Sequence, residues 1–568
     1  MNKLVLAALV AATLAMPACA GSRFTPQATA LTPALTHRSG TSLAGKAAPT
    51  PYPLPKQTPD WQIVEKPVPY DFHSVGPDRS ACKTGEGLTY RVGPGQAYPQ
   101  PHNVPWLRLL PCDTVLIYPS AAPYSDVIYL ASRGRVHKAI TVSGVLDPKT
   151  GARPVFDGTH AISWADQDPD KYLLCNGMIV IGNPDPYKIS YKYGYKPGYL
   201  IVENLEIRNA FGKYPGSNQP VYTCTDTSGV PHPWAEFSAG IDVDPAEHLL
   251  VQNMYLHRNG LGMFTNSIDY ENGQSRDFIV KDNTILNNGN GEASLHNMYN
   301  EVVGERVIHN YFGPPIVNTQ GENIKDRGVC VEFADNYIDS GNNLIAARDP
   351  QSNAAFEVTQ VDAYGTNCAS EFYVHGNTFV SRGPTEFQGM STIVGFGDGT
   401  IDGAPQYNRW GSFYFYDNVA IAIANRNNYG LKAAVIWQNG NQLHPSTFYA
   451  TNNLFYSAPQ SKGNQAPTWA ACLWQQYVDF TTDWSSQKML VKFATATDGE
   501  EAVGTPCSGS GMGGIAVSKA DPGFVDFAHG DFHLKPSSPY YSLKAQLPAA
   551  VTQRGLLPDG VPYPTPQP

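Results

Sequence analysis

The strongest constraint on this chain is a recurring phrase, an Asn followed by a short apolar strand. It occurs as Asn204-Leu205-Glu206-Ile207, Asn253-Met254-Tyr255-Leu256, Asn283-Thr284-Ile285-Leu286 and Asn310-Tyr311-Phe312. It continues as Asn336-Tyr337-Ile338, Asn377-Thr378-Phe379, Asn418-Val419-Ala420 and Asn453-Leu454-Phe455. The steps are 49, 30, 27, 26, 41, 41 and 35 residues. A period in this range with strand chemistry and no helical periodicity describes a solenoid, in which each unit buries its apolar face only against its neighbours. Steps of 26 and 27 residues are too short for propeller blades, which need about 40 residues each. Asn at one corner of successive coils stacks its amides in a ladder and tolerates a left-handed turn. The expectation is an all-β, right-handed parallel β-helix over residues 75–545, with loops inserted in the longer repeats.

The flanks read differently. Met1-Asn2-Lys3 and the apolar run Leu4 to Met16, followed by Ala18-Cys19-Ala20, fit a secretory signal peptide over residues 1–20. Cys19 is also where a bacterial lipoprotein would carry its lipid. Residues 21–74 are rich in Pro, Thr and Ala, a composition that suits an extended linker. Residues 546–568 form a Pro-rich tail. No later apolar run is long enough to cross a bilayer. Cys82, Cys112, Cys175, Cys224, Cys330, Cys368, Cys472 and Cys507 remain, an even number that reads as disulfides in an exported chain. Pairing of neighbours (82–112, 175–224, 330–368, 472–507) suits the local closures of a repeat architecture. A secreted or periplasmic monomer is expected. With Lys+Arg 39 against Asp+Glu 49, the net charge of −10 argues against a nucleic-acid partner. Gly395-Phe396-Gly397-Asp398-Gly399 reads as a loop.

Candidate chemistry gathers where charged residues recur at coil spacing. In a parallel β-helix, equivalent positions of successive coils lie about 4.8 Å apart, so residues one repeat apart line a common face. His296, Lys325 and Arg348 fall at steps of 29 and 23 residues. Lys325 and Arg327 stand two residues apart and share a strand face, as do Asp242 and Asp244. Tyr299, three residues after His296, is placed on the other face unless the chain turns there. Asp242 and Asp244 are candidate calcium ligands through their carboxylate oxygens; turn or surface carboxylates are the plainer reading. His257 and His309 follow Asn-strand units and read as structural. Trp410, Trp437 and Trp474 are candidate sugar-stacking rings, with packing as the plainer reading.

Residues 75–540 resemble the secreted right-handed parallel β-helix repeat proteins related to bacterial polysaccharide lyases. The pieces that carry the resemblance are His296-Asn297-x-Tyr299 and Gly321-x-x-x-Lys325-x-Arg327. The closing text Asp521-Pro522-Gly523-Phe524-Val525-Asp526, with Asp531 to Pro539, is similar to the last turn of exported β-helix proteins. The resemblance implies a Lys as base and an Arg as acid or substrate clamp, often beside a calcium ion. Lys325, Arg327, His296 and Arg348 are then the catalytic candidates, with Tyr299, Asn297 and Asn323 on the substrate. The substrate is an acidic polysaccharide, opened by β-elimination after a cation has neutralised the uronate carboxylate. Arg327 and Arg348 near Lys325 would favour its neutral, basic form, and His296 is a base by its ordinary pKa.

Two other readings stay open. A glycoside hydrolase on the same fold would use paired carboxylates such as Asp242 and Asp244, and a carbohydrate-binding surface protein would only bind. The Gly-His-Gly and Asn-Thr-Asp marks of polygalacturonase-type β-helices are absent from the sequence, as are a nucleophile elbow, a P-loop and a dinucleotide fingerprint.

Overall fold

The structure is a computed structural model. It describes residues 76–164, 175–182, 196–212, 222–226, 228–267, 275–289, 295–316, 322–339, 343–348, 371–381, 392–398, 411–424, 434–439, 446–451, 453–459, 473–476, 480–483, 489–493, 515–517, 522–527, 531–538 and 541. The signal peptide, the linker and the C-terminal tail read from the sequence lie outside these residues, as do Cys19, Cys368, Trp410, Cys472 and Cys507.

Among the described residues the chain winds into coils of three strands. Each coil adds one strand to each of three long sheets of 12, 10 and 11 strands, here called I, II and III. One full coil runs Ala239–Asp244 in sheet II, Glu247–Gln252 in sheet I and Tyr255–His257 in sheet III. The next coil takes Leu261–Thr265, Ser275–Lys281 and Thr284–Leu286. Every pairing within these three sheets is parallel and joins like strands of successive coils. This is a parallel β-helix, and parallel crossovers are right-handed almost without exception.

The interior follows from register. Strand alternation sends every second side chain inward, and coils in register stack like with like. Phe156, Ile207, Leu256, Ile285, Phe312, Ile338 and Phe379 form one wholly buried column of sheet III. Ile241, Met263, Met298 and Ile324 form the matching column of sheet II.

The Asn ladder is present, and its two jobs fall to adjacent residues. Side-chain amides of Asn283, Asn310, Asn336, Asn377, Asn418 and Asn453 donate one to the next at 2.9–3.1 Å. All six are wholly buried. The left-handed turn is made one residue earlier, by Asp282, His309, Asp335, Gly376 and Asp417, with φ between 55° and 66°. Asn204 and Asn253 occupy that turn position (φ 62° and 50°), so Leu205 and Met254 stand in the ladder's place and the repeat read from the sequence is offset by one there.

A second ladder runs up the corner between sheets III and II, from Asn259 through Asn288 and Asn297 to Asn323, at 2.8–3.1 Å. Cys82–Cys112 and Cys175–Cys224 are disulfides as neighbour pairing expects, and Cys330 is disulfide-bonded too. Thr392–Asp398 is a strand of sheet II, which corrects the loop reading of Gly395 to Asp398. Its place is fixed by pairing with Asn343–Arg348 and Ala434–Asn439 rather than by its own glycine-rich text. No helix of the described residues is long and apolar enough to cross a membrane.

Two of the three outer faces carry apolar cover. Tyr255, Leu286, Tyr311, Tyr337, Val380, Val419 and Leu454 on sheet III pack against Phe524 and Phe532 of the closing hairpin, Phe524–Asp526 with Asp531–Leu534. On sheet I, Ala139, Ile201, Leu250 and Ile279 form an outer cluster. The outer face of sheet II has a smaller apolar cluster of Ala239, Leu261, Leu295 and Tyr299 with Phe264, and beside it carries ionisable groups.

Candidate active site

Two neighbouring outward columns of sheet II hold most of the residues singled out from the sequence. The first runs Asp242, Phe264, Tyr299 and Lys325 in strict register, and the backbone register continues from Lys325 to Ala346, Gly395, Trp437 and Trp474. The second lies two residues further along each strand and contains Asp244, Asn266, Glu301, Arg327 and the register position of Arg348. The pleat explains this: Asp242/Asp244, Tyr299/Glu301 and Lys325/Arg327 are each two apart, so each pair leaves the same side of its strand.

The stack read from sequence spacing, His296 over Lys325 over Arg348, is not the one formed. Tyr299 pairs with Lys325, and Lys325 with Ala346. The corner at Asn297 turns the chain, so the strand's alternation restarts at Met298 and brings Tyr299 outward. His296 is left in the corner, wholly buried, with Nδ1 3.1 Å from the Glu322 carboxylate and its ring edge-on to Tyr299 at 5.9 Å. Asn297 and Asn323, expected on the substrate, are wholly buried in the corner ladder. The Asn297 amide donates to Asn323 and to the Gly313 carbonyl, both at 2.8 Å, and Asn323 donates to the Asp339 carbonyl at 2.9 Å. That removes both from the groups a substrate can touch.

At the centre, the Tyr299 hydroxyl donates to Glu301 Oε1 at 2.8 Å, and Arg327 Nη1 approaches the same hydroxyl at 3.4 Å. Lys325 Nζ sits 4.4 Å from the centroid of the Tyr299 ring, a cation over an aromatic face. Glu301 Oε2 accepts from the Ser267 amide at 3.1 Å. Burial, and then the Glu301 carboxylate, push the Tyr299 phenol up, so it keeps its proton. Burial raises Glu301 as well, although Arg327 pulls it down. Glu301 and Ser267 were not foreseen, yet Glu301 stands two residues after Tyr299, and strand alternation alone would have put it beside the phenol.

Two coils from Tyr299, Asp242 and Asp244 are both buried. Burial, and then the charge of Asp244, push Asp242 well up; burial pushes Asp244 up, while Asn266 donates to it at 3.0 Å and lowers it. As calcium ligands they fall short. Calcium takes six to eight oxygens, Asn266 presents its N–H side to Asp244, and no group of three or more acidic, His or Cys side chains among the described residues is placed to hold a metal ion. No step is therefore routed through calcium.

The chain matches no protein-family model and no curated protein. Solved structures give distant likenesses. An alginate lyase from Paenibacillus sp. is 13% identical, covering 65% of this chain and 93% of that one, with a TM-score of 0.29. DFA-IIIase from Arthrobacter chlorophenolicus without its lid is 10% identical over 68% of this chain and 82% of that one, with a TM-score of 0.33. The catalytic unit of an α-1,3-glucanase from Streptomyces thermodiastaticus is 10% identical over 78% and 69%, also with a TM-score of 0.33. At this distance none carries an argument about chemistry; the β-helix rests on the strand register itself.

Proposed function

We propose that this protein is an exported carbohydrate-active enzyme that cleaves an acidic polysaccharide by β-elimination on the outer face of sheet II. The observation that carries this is the Tyr299 hydroxyl held between Glu301 and Arg327, with the Lys325 ammonium over its ring. Arg327 neutralises the uronate carboxylate, which makes the C5 proton acidic. The Lys325 ammonium first loses its proton, which the nearby Arg327 cation favours, and as the free amine it takes the C5 proton. The electron pair forms the C4–C5 double bond, the C4–O bond breaks, and Tyr299 protonates the leaving oxygen. Lys325 then returns its proton to the phenolate, which restores both groups. Glu301 and His296 hold the Tyr299 ring and hydroxyl in place as positioning residues. The disulfides suit the oxidising compartment of an exported chain.

The test is ultraviolet absorbance of the unsaturated uronate, followed over a panel of uronate polymers. Absorbance should rise with one of them, and Lys325→Ala and Tyr299→Phe should each lower the rate by about 10²–10⁴-fold. One second reading has its own observation. A buried Asp242 that keeps its proton beside Asp244 is the acid-and-carboxylate pair a glycoside hydrolase needs. Reducing ends released with no absorbance, and abolished by Asp242→Asn, would favour it. Binding of a polymer with neither product would leave the face as a binding surface.

A further inference from the structure

Charge is spread unevenly along the outer face of sheet II, and Tyr299 marks the divide. Phe264 and Asn266 stand two residues apart on the coil before Tyr299 and Glu301, and both are half-buried. Phe264 packs on the corner cluster of Ala239, Leu261 and Leu295 and meets the Tyr299 ring edge-on, with centroids 5.2 Å apart at 63°. Asn266 gives its amide N–H to Asp244 at 3.0 Å, so its carbonyl oxygen is turned away from that carboxyl. Lys325 and Arg327, also half-buried, stand on the coil past Tyr299. Both cations act on Glu301 and lower it against its burial. Asp242 is governed by burial and the Asp244 charge, and Asp244 by burial and the Asn266 donor, with no cation among the described residues acting on either. One side of Tyr299 thus carries two cations, and the other an aromatic ring, an amide and two carboxyls.

We infer that the seat on the Phe264 side takes a neutral sugar, so that the substrate is a mixed polysaccharide with a neutral hexose or N-acetylhexosamine linked to O4 of its uronate. This rests on the elimination reading above. In that reaction Lys325, Arg327 and Tyr299 all work on one uronate, at its C5 proton, its carboxylate and its O4. The departing sugar holds O4 through its own C1, so it lies beyond Tyr299 on the side away from Lys325. A sugar unit matches the coil step of about 4.8 Å, which seats the departing ring on Phe264 and Asn266. A half-buried aromatic ring beside an amide oxygen suits the apolar face and the hydroxyls of a neutral sugar. A second uronate in that seat would set its carboxylate against the Asn266 oxygen and the Asp244 carboxyl. No cation among the described residues on that side pairs with it, and an unpaired charge beside a like charge opposes binding.

Initial rates from the absorbance of the unsaturated uronate separate this inference from the reading it rests on. Alginate, pectate and glucuronan carry a uronate on O4 of each uronate, whereas hyaluronan, unsulfated chondroitin and gellan carry an N-acetylhexosamine or a glucose there. For the full chain, kcat/KM on the best of the mixed polymers should exceed that on the best homopolyuronate by at least about tenfold. Phe264→Ala should lower the value on the mixed polymer by about tenfold. Asn266→Lys, which supplies a cation at the seat, should move the ratio between the two sets toward the homopolyuronates by at least about tenfold, with thermal unfolding confirming that the coils are intact. Equal or faster cleavage of a homopolyuronate by the wild-type chain overturns the inference while elimination stands, and this comparison needs no variant. An unchanged ratio in a folded Asn266→Lys protein overturns it too. Absorbance from neither set overturns the elimination reading, and the inference falls with it.

Discussion

Replacing Glu305 by Gln should stabilise this protein above pH 5, by an amount that grows with pH. Glu305 occupies an inward column of sheet I that includes Leu200, Leu249, Phe278, Val331, Phe372 and Phe413. It is wholly buried, as are Asp326 and Asn300 beside it. Asn300 donates to Glu305 and Thr265 donates to Asn300 at 3.2 Å, while the Gly328 amide donates to Asp326 at 3.0 Å. Burial, then the charge of Asp326 and a hydrogen bond with it, hold the Glu305 carboxyl well above the usual range. The folded coil thus keeps a proton that the unfolded carboxyl releases above its ordinary value. The unfolded state binds fewer protons over that window, so wild-type stability is full below pH 4 to 5 and falls as pH rises. Each pH unit in that window costs about 1.4 kcal/mol. In Glu305→Gln the amide supplies the donor toward Asp326 at every pH, and its oxygen still accepts from Asn300. Between the unfolded carboxyl's ordinary value and the higher folded one, the variant should gain about 1.4 kcal/mol on the wild type for each pH unit. Urea unfolding followed by tryptophan fluorescence at pH 5, 6, 7 and 8 measures the divergence. Parallel stability curves, or a variant weaker at pH 7 than at pH 5 relative to wild type, would refute the shared-proton account.

The same packing and hydrogen bonding carry other expectations. Asn336→Ala should cost about 2–5 kcal/mol, because it strands the Asn310 amides and the Val307 carbonyl that Asn336 satisfies at 2.8–3.0 Å; unfolding of the variant measures it. Cys175→Ser with Cys224→Ser opens a closure of 49 residues and should cost up to about 4 kcal/mol, seen as a lower unfolding midpoint that reductant no longer changes at this bond. His309 is raised above its ordinary value first by its hydrogen bond with Asp335, with Asp282 adding to it. Its support is full below about pH 6.5 and is lost as pH rises through the higher folded value. At 41% side-chain exposure screening holds it to a few tenths of a kcal/mol, so the check is proton NMR, where Asp335→Asn should bring the His309 titration back down. Trp437→Ala should weaken polymer binding in affinity electrophoresis while leaving turnover of short oligosaccharides unchanged, since Trp437 shares the Tyr299–Lys325 column three coil steps from Lys325.

What the sequence made legible follows from where geometry is local. Within one strand the pleat fixes which residues share a face, so Lys325 with Arg327 and Asp242 with Asp244 were readable as pairs. The β-helix was readable because a buried Asn amide needs partners on both sides, and only an equivalent Asn one coil away supplies them at every step. Between coils the reading slips, since loops of unequal length separate equivalent residues. Counting residues then matched His296 with Lys325, whereas the corner at Asn297 delivers Tyr299 to that column. Asn297 and Asn323 were assigned to substrate for the same reason: no count distinguishes a corner Asn from a groove Asn.

Glu305 shows the limit most plainly. Simple alternation along Val302–Ile308 would put Glu305 on the face opposite Arg306 but would leave open which of the two points inward, and charge offers no guide. Register decides it. Gly304 stands in the left-handed region with φ 76°, at the same place in its coil as Tyr199, His248, Asp277 and Cys330, with φ of 51°, 51°, 55° and 55°. Each of these coils carries one such residue between the same pair of register partners, so it resets the phase of the strand after it without shifting the register between coils. Leu200, Leu249, Phe278 and Val331 follow that left-handed residue directly and point inward, so Glu305, which follows Gly304, must do the same. The carboxyl is carried into the core by that reset of phase, where burial and then the charge of Asp326, on the strand that presents Lys325 and Arg327, hold it toward its neutral form.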